Sequence, residues 1–268
     1  MYVYKQFDVE SHFGGRLKIA FFNHPETMNA FTKPLLAELK DFIDFYNKDE
    51  DTRCIAIAAR GSSFSSGQNL GAIDFEDRNL NVKREVQRIV IDYYNPLVMS
   101  VYYSKKPVIS LVNGPAVGAG AMLALICDFT IASDNAYFSQ AFSNIGLIPD
   151  TGGTYFLQKL VGRQMAHYLA YTGKKVSAEE ALKLGMIAEV WPEAEFREKS
   201  MEMLERITNM PTVALSLTKK ALRKSYDYSL REQLDIESIY QSEAAGTRDF
   251  MEGVNAFMEK RKPEYKGK

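Results

Sequence analysis

The sequence is poor in the residues that most often carry chemistry by themselves. Of 268 residues, two are cysteine, one is tryptophan and three are histidine. Two cysteines cannot build a disulfide scaffold, and Cys54 and Cys127 both sit in apolar runs that predict small, reduced, buried side chains. Three scattered histidines, with no CxxC or HExxH spacing, offer no metal-ligand cluster. A Gly-x-Ser-x-Gly elbow is absent, which argues against an activated-serine hydrolase. No apolar run approaches the roughly 18 residues of a membrane span. The opening Met-Tyr-Val-Tyr-Lys-Gln-Phe-Asp interleaves acid and base and does not read as a secretory signal. Net charge is scarce too: 33 Lys+Arg against 34 Asp+Glu give −1, no basis for binding a polyanion. What remains, 46% hydrophobic and 25% charged, is the composition of an ordinary folded chain. We expect a cytoplasmic protein with neither nucleic acid nor membrane as partner.

Strands and helices alternate through the first part of the chain. Leu17–Phe22 reads as a strand. Thr32–Tyr46 carries Leu35, Leu36, Leu39, Phe42 and Ile43 at helical spacing. Cys54–Ala59 is apolar throughout, the mark of a strand covered on both faces. One long polar helix is predicted over Val82–Tyr103, then a second buried strand over Pro107–Val112, closed by the turn residues Asn113-Gly114-Pro115. Gly118–Cys127 predicts a buried helix, Phe129–Ala132 a short strand, and Tyr155–Leu160 a further helix. This alternation argues for stacked βα units and a mostly parallel sheet. Ser177-Ala-Glu-Glu180 reads as a capping-box start, with Gly185 as the stop. Beyond Glu193 nearly everything is helical, broken at Met210-Pro211, Tyr226–Ser229 and Gly246. The expected division is an α/β core over 1–195 and a helical region over 196–268.

Two glycine-containing turns follow the buried strands, around Gly67-Gln68-Asn69-Leu70 and around Gly118-Ala119-Gly120. In βα units ligands gather beyond the carboxyl ends of strands, where N–H groups at helix starts are unpaired. Two such turns side by side could aim two N–H donors at one oxygen, an oxyanion hole. Tight packing would equally call for glycine there. Gly118-x-Gly120 lacks the third glycine of a dinucleotide fingerprint, and the first turn lacks the Lys-Ser/Thr of a phosphate loop. A third segment, Gly146–Thr154, places Asp150 just ahead of a helix. Two readings stand: an N-cap, or a partly desolvated carboxylate suited to proton abstraction.

Taken together, the residues resemble the crotonase superfamily, the enoyl-CoA hydratase/isomerase family. The resemblance rests on His24-Pro-Glu-Thr-Met-Asn29-Ala30, Phe64-Ser-Ser-Gly67-Gln68-Asn69-Leu70, Asn113-Gly114 through Gly120, Cys127-Asp128, Gly146–Thr154 and Glu252-Gly253 through Lys260. It implies an α/β, crotonase-like fold: a repeated ββα core followed by helices that assemble a homotrimer or a dimer of trimers. It also implies an acyl-CoA thioester as substrate and no separate cofactor or metal. The backbone N–H groups of Gln68 and Ala119 would hold the thioester oxygen. Met28, Ala30, Gln68, Asn69, Leu70, Gly71 and Ala119 match positions that contact coenzyme A or substrate. So do Phe257 and Lys260, which in some members reach a neighbouring subunit.

The acids depart from the hydratase pattern. The two hydratase glutamates align with Met122 and Phe142, which cannot move a proton and would instead line the acyl pocket. Asp150 matches the catalytic aspartate of the isomerase branch, and its surroundings are similar to those of phenylacetate-pathway isomerases. The resemblance therefore implies double-bond migration, 3-enoyl-CoA to 2-enoyl-CoA or a ring-epoxide (oxepin-type) rearrangement, with Asp150 as acid/base. Water addition to 2-enoyl-CoA is the alternative, and an acyl-CoA- or RNA-binding protein without turnover the third.

Overall fold

The computed structural model describes residues 4–72, 77 and 80–268. Residues 1–3, 73–76, 78 and 79 of the expected core span lie outside the described residues. The main sheet has six strands in the order β1 (Phe7–His12), β2 (Leu17–Phe22), β3 (Cys54–Ala59), β4 (Val108–Val112), β6 (Phe129–Ser133) and β9 (Glu189–Trp191). β1 runs antiparallel to β2, and every later pairing in this sheet is parallel. A smaller sheet holds β5 (Ala116–Val117), β7 (Tyr137–Ser139) and β8 (Val176–Ser177). The apolar runs account for the central strands. β1, with an outer face of Asp8, Glu10 and His12, and the two- and three-residue strands carry too little periodicity to be read beforehand.

β3 shows how one strand serves two layers. Successive side chains point to opposite faces. Ile55, Ile57 and Ala59 join the larger core, built with Leu39 and Phe42 of α1 (Lys33–Lys48), Val101 of α3 (Asn95–Tyr103) and Leu123 of α4 (Ala119–Leu125). Cys54, Ala56 and Ala58 join the other, closed by Leu204 of α7 (Glu193–Thr208). The expected boundary at 195/196 falls inside α7, which packs on the sheet. Helix α1 starts where Thr32 accepts a hydrogen bond from the Leu35 N–H, with Pro34 in the first turn.

The expected single helix over Val82–Tyr103 is interrupted. α2 (Val82–Ile89) passes into a π-helical turn, Val90–Tyr94, and then into α3. The helix expected over Tyr155–Leu160 lies in the first half of α5 (Gly153–Thr172), and Gly162 at φ 76°, ψ 162° breaks its regularity. α6 (Ala178–Lys183) begins at Ser177, whose hydroxyl accepts from the Glu180 N–H.

The chain ends in α8 (Thr212–Lys224), α9 (Leu230–Ala245, opened by a Ser229/Glu232 capping box) and α10 (Arg248–Glu259). The last residues fold back onto a buried pair. Asp249 accepts from the Lys266 and Gly267 N–H groups at 2.6 and 2.7 Å. Arg53, at the foot of β3, donates to Tyr265 O and Thr212 Oγ1 and lies 3.9 Å from Asp249. Arg53 and Asp249 are 4% and 2% exposed. Removing one partner of such a pair strands the other charge away from water. Asp249→Ala is therefore expected to lose about 3–5 kcal/mol of stability, read as a lowered denaturant midpoint with unchanged slope.

Candidate active site

The site forms where β3 and β4 end. The turn after β3 runs beside the turn after β5, and Gly67 is where they meet. A Cβ built on Gly67 would lie 2.7 Å from Val117 O and 3.3 Å from Ala119 N, and its φ is +86°. Only glycine fits. Gly67 O accepts from Phe31 N–H at 2.7 Å, and Asn69 N–H donates to Phe31 O at 2.9 Å. These two bonds flank Gln68, so its own N–H faces the other way, towards the cavity. Ala119 opens α4 behind Gly118, whose φ 55°, ψ −124° ends the approach strand abruptly. The Ala119 N–H is one of the unpaired donors of that helix start. Among the described residues neither the Gln68 nor the Ala119 N–H meets an acceptor, and both residues line one cavity of about 540 Å³.

Asn29 fastens the first turn from outside. Fully buried at φ 53°, it donates to Arg60 O and Ser63 O, accepts from the His24 N–H, and gives its own carbonyl to the Ser65 hydroxyl. The non-glycine residues at positive φ include Met28, Asn29, Ala141 and Thr151, all in loops around this cavity, where backbone strain is most often retained for function.

Asp150 lines the same cavity and is the one carboxylate among its described lining residues. It is not a helix cap. Gly152, at φ 75°, is the N-cap of α5, and no side chain bonds the helix start. The Asp150 carboxylate accepts instead from the Thr151 hydroxyl at 2.8 Å. The same cavity is lined by the apolar Leu70, Val86, Ile89, Val90, Phe142 and Leu147. Burial raises its pKa above the usual carboxyl value, only partly offset by the Thr151 hydrogen bond. A carboxylate that shares an apolar cavity with two free N–H donors can take a proton while the donors hold the charge that develops.

The other residues singled out from the sequence divide. Gln68, Leu70, Ala119, Phe142 and Asp150 come together in the cavity wall. Asn69 and Gly71 flank Leu70. Met28 and Ala30 sit on the loop against the first turn, where Met28 O accepts from the Ser66 N–H, and Met28 is exposed. Met122 departs from its expected place in the acyl pocket. One turn into α4 it is fully buried in the core, beneath the Gly153 backbone, and does not reach the cavity. Phe257 and Lys260 lie on α10 and its C-cap, away from this cavity and exposed; Phe257 lines a separate hollow with Pro211 and Met258. Cys54 and Cys127 are buried, and burial pushes both thiols up, Cys127 to about 12, so neither supplies a thiolate. Among the described residues no group of three or more His, Cys, Asp or Glu could hold a metal, and no helix is long and apolar enough to cross a membrane.

Of the lining residues that the sequence reading did not single out, Tyr94 is bonded to a predicted donor residue. Tyr94 is buried, and its O–H donates to Gln68 Oε1 at 2.8 Å. Regular helical spacing from Ile89 would turn Tyr93 inward; the π-helical turn, in which the Asn95 N–H bonds to Val90 O, delivers Tyr94 instead. Nothing in the hydrophobic period marks that insertion.

The profile of the enoyl-CoA hydratase/isomerase family matches residues 17–268. The chain is 38% identical to 1,2-epoxyphenylacetyl-CoA isomerase of Escherichia coli over 92% of its length and 93% of that protein's. It is 32% identical to crotonyl-CoA hydratase of Syntrophomonas wolfei, covering 93% and 94%. Its fold is similar to the crystal structure of an enoyl-CoA hydratase from Bacillus anthracis, with TM-score 0.90, 29% identity, and coverage of 98% and 100%.

Two outcomes follow from the geometry. Gly67→Ala forces a methyl against Val117 O and displaces the Ala119 donor, so turnover of the enzyme's own acyl-CoA should fall by about 10²–10³-fold in kcat, as for loss of one hole donor. Asp150→Asn should raise the melting temperature at pH 7. The folded state binds the Asp150 proton more tightly than the unfolded chain does. Stability therefore falls as pH rises from the ordinary carboxyl pKa through the raised one, and asparagine removes that penalty. The gain should vanish below about pH 3, where both states are protonated.

Proposed function

The chain belongs to the enoyl-CoA hydratase/isomerase family, and within it we propose that it acts as an acyl-CoA double-bond isomerase. The observation that carries this reading is that Asp150, the single carboxylate among the described lining residues, shares one cavity with the Gln68 and Ala119 N–H groups. The thioester oxygen would take both N–H bonds, which lowers the cost of the enolate. Asp150 would remove a proton from C2 of a 3-enoyl-CoA and return it at C4. The proton removed is the proton returned, so no further reagent enters. Water addition asks for a group to orient and deprotonate water besides the one that protonates C2. Phe142 and Met122 occupy the positions matched to the hydratase glutamates, and Asp150 would have to serve both ends. The apolar wall favours keeping water out.

The described lining also carries no Lys, Arg or His. That favours a neutral acyl group, an alkenyl chain or a ring, over one ending in a carboxylate. The E. coli relative is named for an epoxidised aryl thioester, and the proposal extends to that ring class. Met28, Ala30, Asn69 and Gly71 would flank the pantetheine path. The exposed apolar residues of α9 and α10, among them Leu230, Leu234, Phe250, Val254 and Phe257, would form the assembly face of a trimer, with Phe257 and Lys260 facing a neighbour's ligand.

Incubation with 3-enoyl-CoA should produce the conjugated 2-enoyl thioester, followed by its ultraviolet absorbance, while incubation with 2-enoyl-CoA should leave that absorbance standing. Loss of absorbance in the second experiment would assign a hydratase instead. Asp150→Asn should cut kcat by about 10³-fold with acyl-CoA affinity retained. The acid limb of kcat/KM in the parent enzyme should lie above the ordinary carboxyl pKa, because the base must be ionised, and should be absent from the residual rate of the variant.

A further inference from the structure

We propose that Tyr94 is a positioning residue for the oxyanion pair, its hydroxyl fixing the Gln68 side chain and with it the N–H that Gln68 turns towards the substrate oxygen. The idea rests on the isomerase reading for its connection to turnover, but not for its geometry. The Gln68 amide is held at both ends. Its Oε1 accepts from Tyr94 O–H at 2.8 Å, and its Nε2 donates to Asn69 O at 3.3 Å. Side chain, following carbonyl and phenol thus form one closed unit around the residue that carries the donor. The main chain on either side is tied to Phe31. Those ties fix where the strand edge runs, whereas the Tyr94 bond governs the side of Gln68 that faces the cavity.

Three features separate this bond from incidental packing. Tyr94 is 1% exposed, so its hydroxyl has no water to fall back on. It reaches the cavity only through the π-helical turn Val90–Tyr94, a distortion that costs regular helix hydrogen bonding and recurs at functional sites. Burial and the Asp150 charge together hold the phenol protonated far above its usual ionisation range. The hydroxyl therefore stays protonated and remains a donor to Gln68. Asp150 and Tyr94 divide the work: one moves the proton, the other keeps the acceptor of charge in place. Hydrogen-bond donors stabilise an oxyanion only when they sit where the oxygen will be, and misplacement by an ångström removes most of the effect.

Tyr94→Phe keeps the ring and deletes the bond. Two ligands separate positioning from general damage in the full-length protein. Acetoacetyl-CoA enolises readily and presents an oxyanion, while butyryl-CoA presents a neutral thioester of similar size. Calorimetric titration should show acetoacetyl-CoA bound about tenfold more weakly by Tyr94→Phe and butyryl-CoA within about twofold of the parent. Gln68→Met, which fills the same space without the acceptor, should lose about as much, and the double variant no more than either alone. Unchanged acetoacetyl-CoA affinity, equal weakening of both ligands, additive losses, or a parent protein that does not prefer the enolate would each overturn the assignment. Because neither ligand needs to turn over, failure of the parent enzyme to convert 3-enoyl-CoA would count against the isomerase reading alone.

Discussion

The close approach of two backbone turns at Gly67 is the constraint on which the site depends. With a Cβ there only 2.7 Å from Val117 O, the strand-to-helix connections after β3 and β5 cannot be this near with any other residue. Their nearness lets two peptide N–H groups from distant parts of the chain face one oxygen. Everything else in the site serves that approach. Asn29 ties the first turn to the preceding loop, Phe31 holds its edge, and the parallel sheet brings the strand ends to one side. The side chains at the two donor positions matter less, since a peptide N–H is the same in glutamine and alanine.

Electrostatics are arranged by subtraction. Phe142 contributes ring surface to the cavity, and Asp150, the one carboxylate of its described lining, is left in apolar company with one hydroxyl for support. A raised pKa is the direct result, so basicity is gained at the cost of local stability. The strained backbone at Thr151 belongs to the same pattern. It holds a β-branched residue at φ 50°, 1% exposed, immediately beside Asp150.

Much of this was legible in the residues. β3 begins and ends where its apolar run does, and α1 starts at the threonine and proline that call for it, because burial and capping are local properties. The glycine turns by themselves announced tight backbone, and only the family resemblance pointed to the N–H groups of Gln68 and Ala119; that the Gln68 N–H is left free depends on the pairing with Phe31, 37 positions earlier in the chain. Asp150 left two readings open, and the neighbouring Gly152 at positive φ removes the first of them by taking the cap. Met122 was matched to a pocket position, yet its place on α4 turns it into the core. Tyr94 could not be read at all. An inserted residue inside a helix leaves the hydrophobic count almost unchanged while rotating every later side chain by about 100°, one residue's share of a 3.6-residue turn.

That insertion has a consequence for how the site can drift. The residue before Tyr94 is also a tyrosine, and in a regular helix it would occupy the inward position. Straightening the helix without losing a residue would bring Tyr93 to that position, and deleting one residue between Val90 and Tyr93 would bring Tyr94 there in a regular helix. The doubled tyrosine thus makes the phenol beside Gln68 independent of the π-turn, so the helix over the cavity can lose that irregularity without losing an inward hydroxyl.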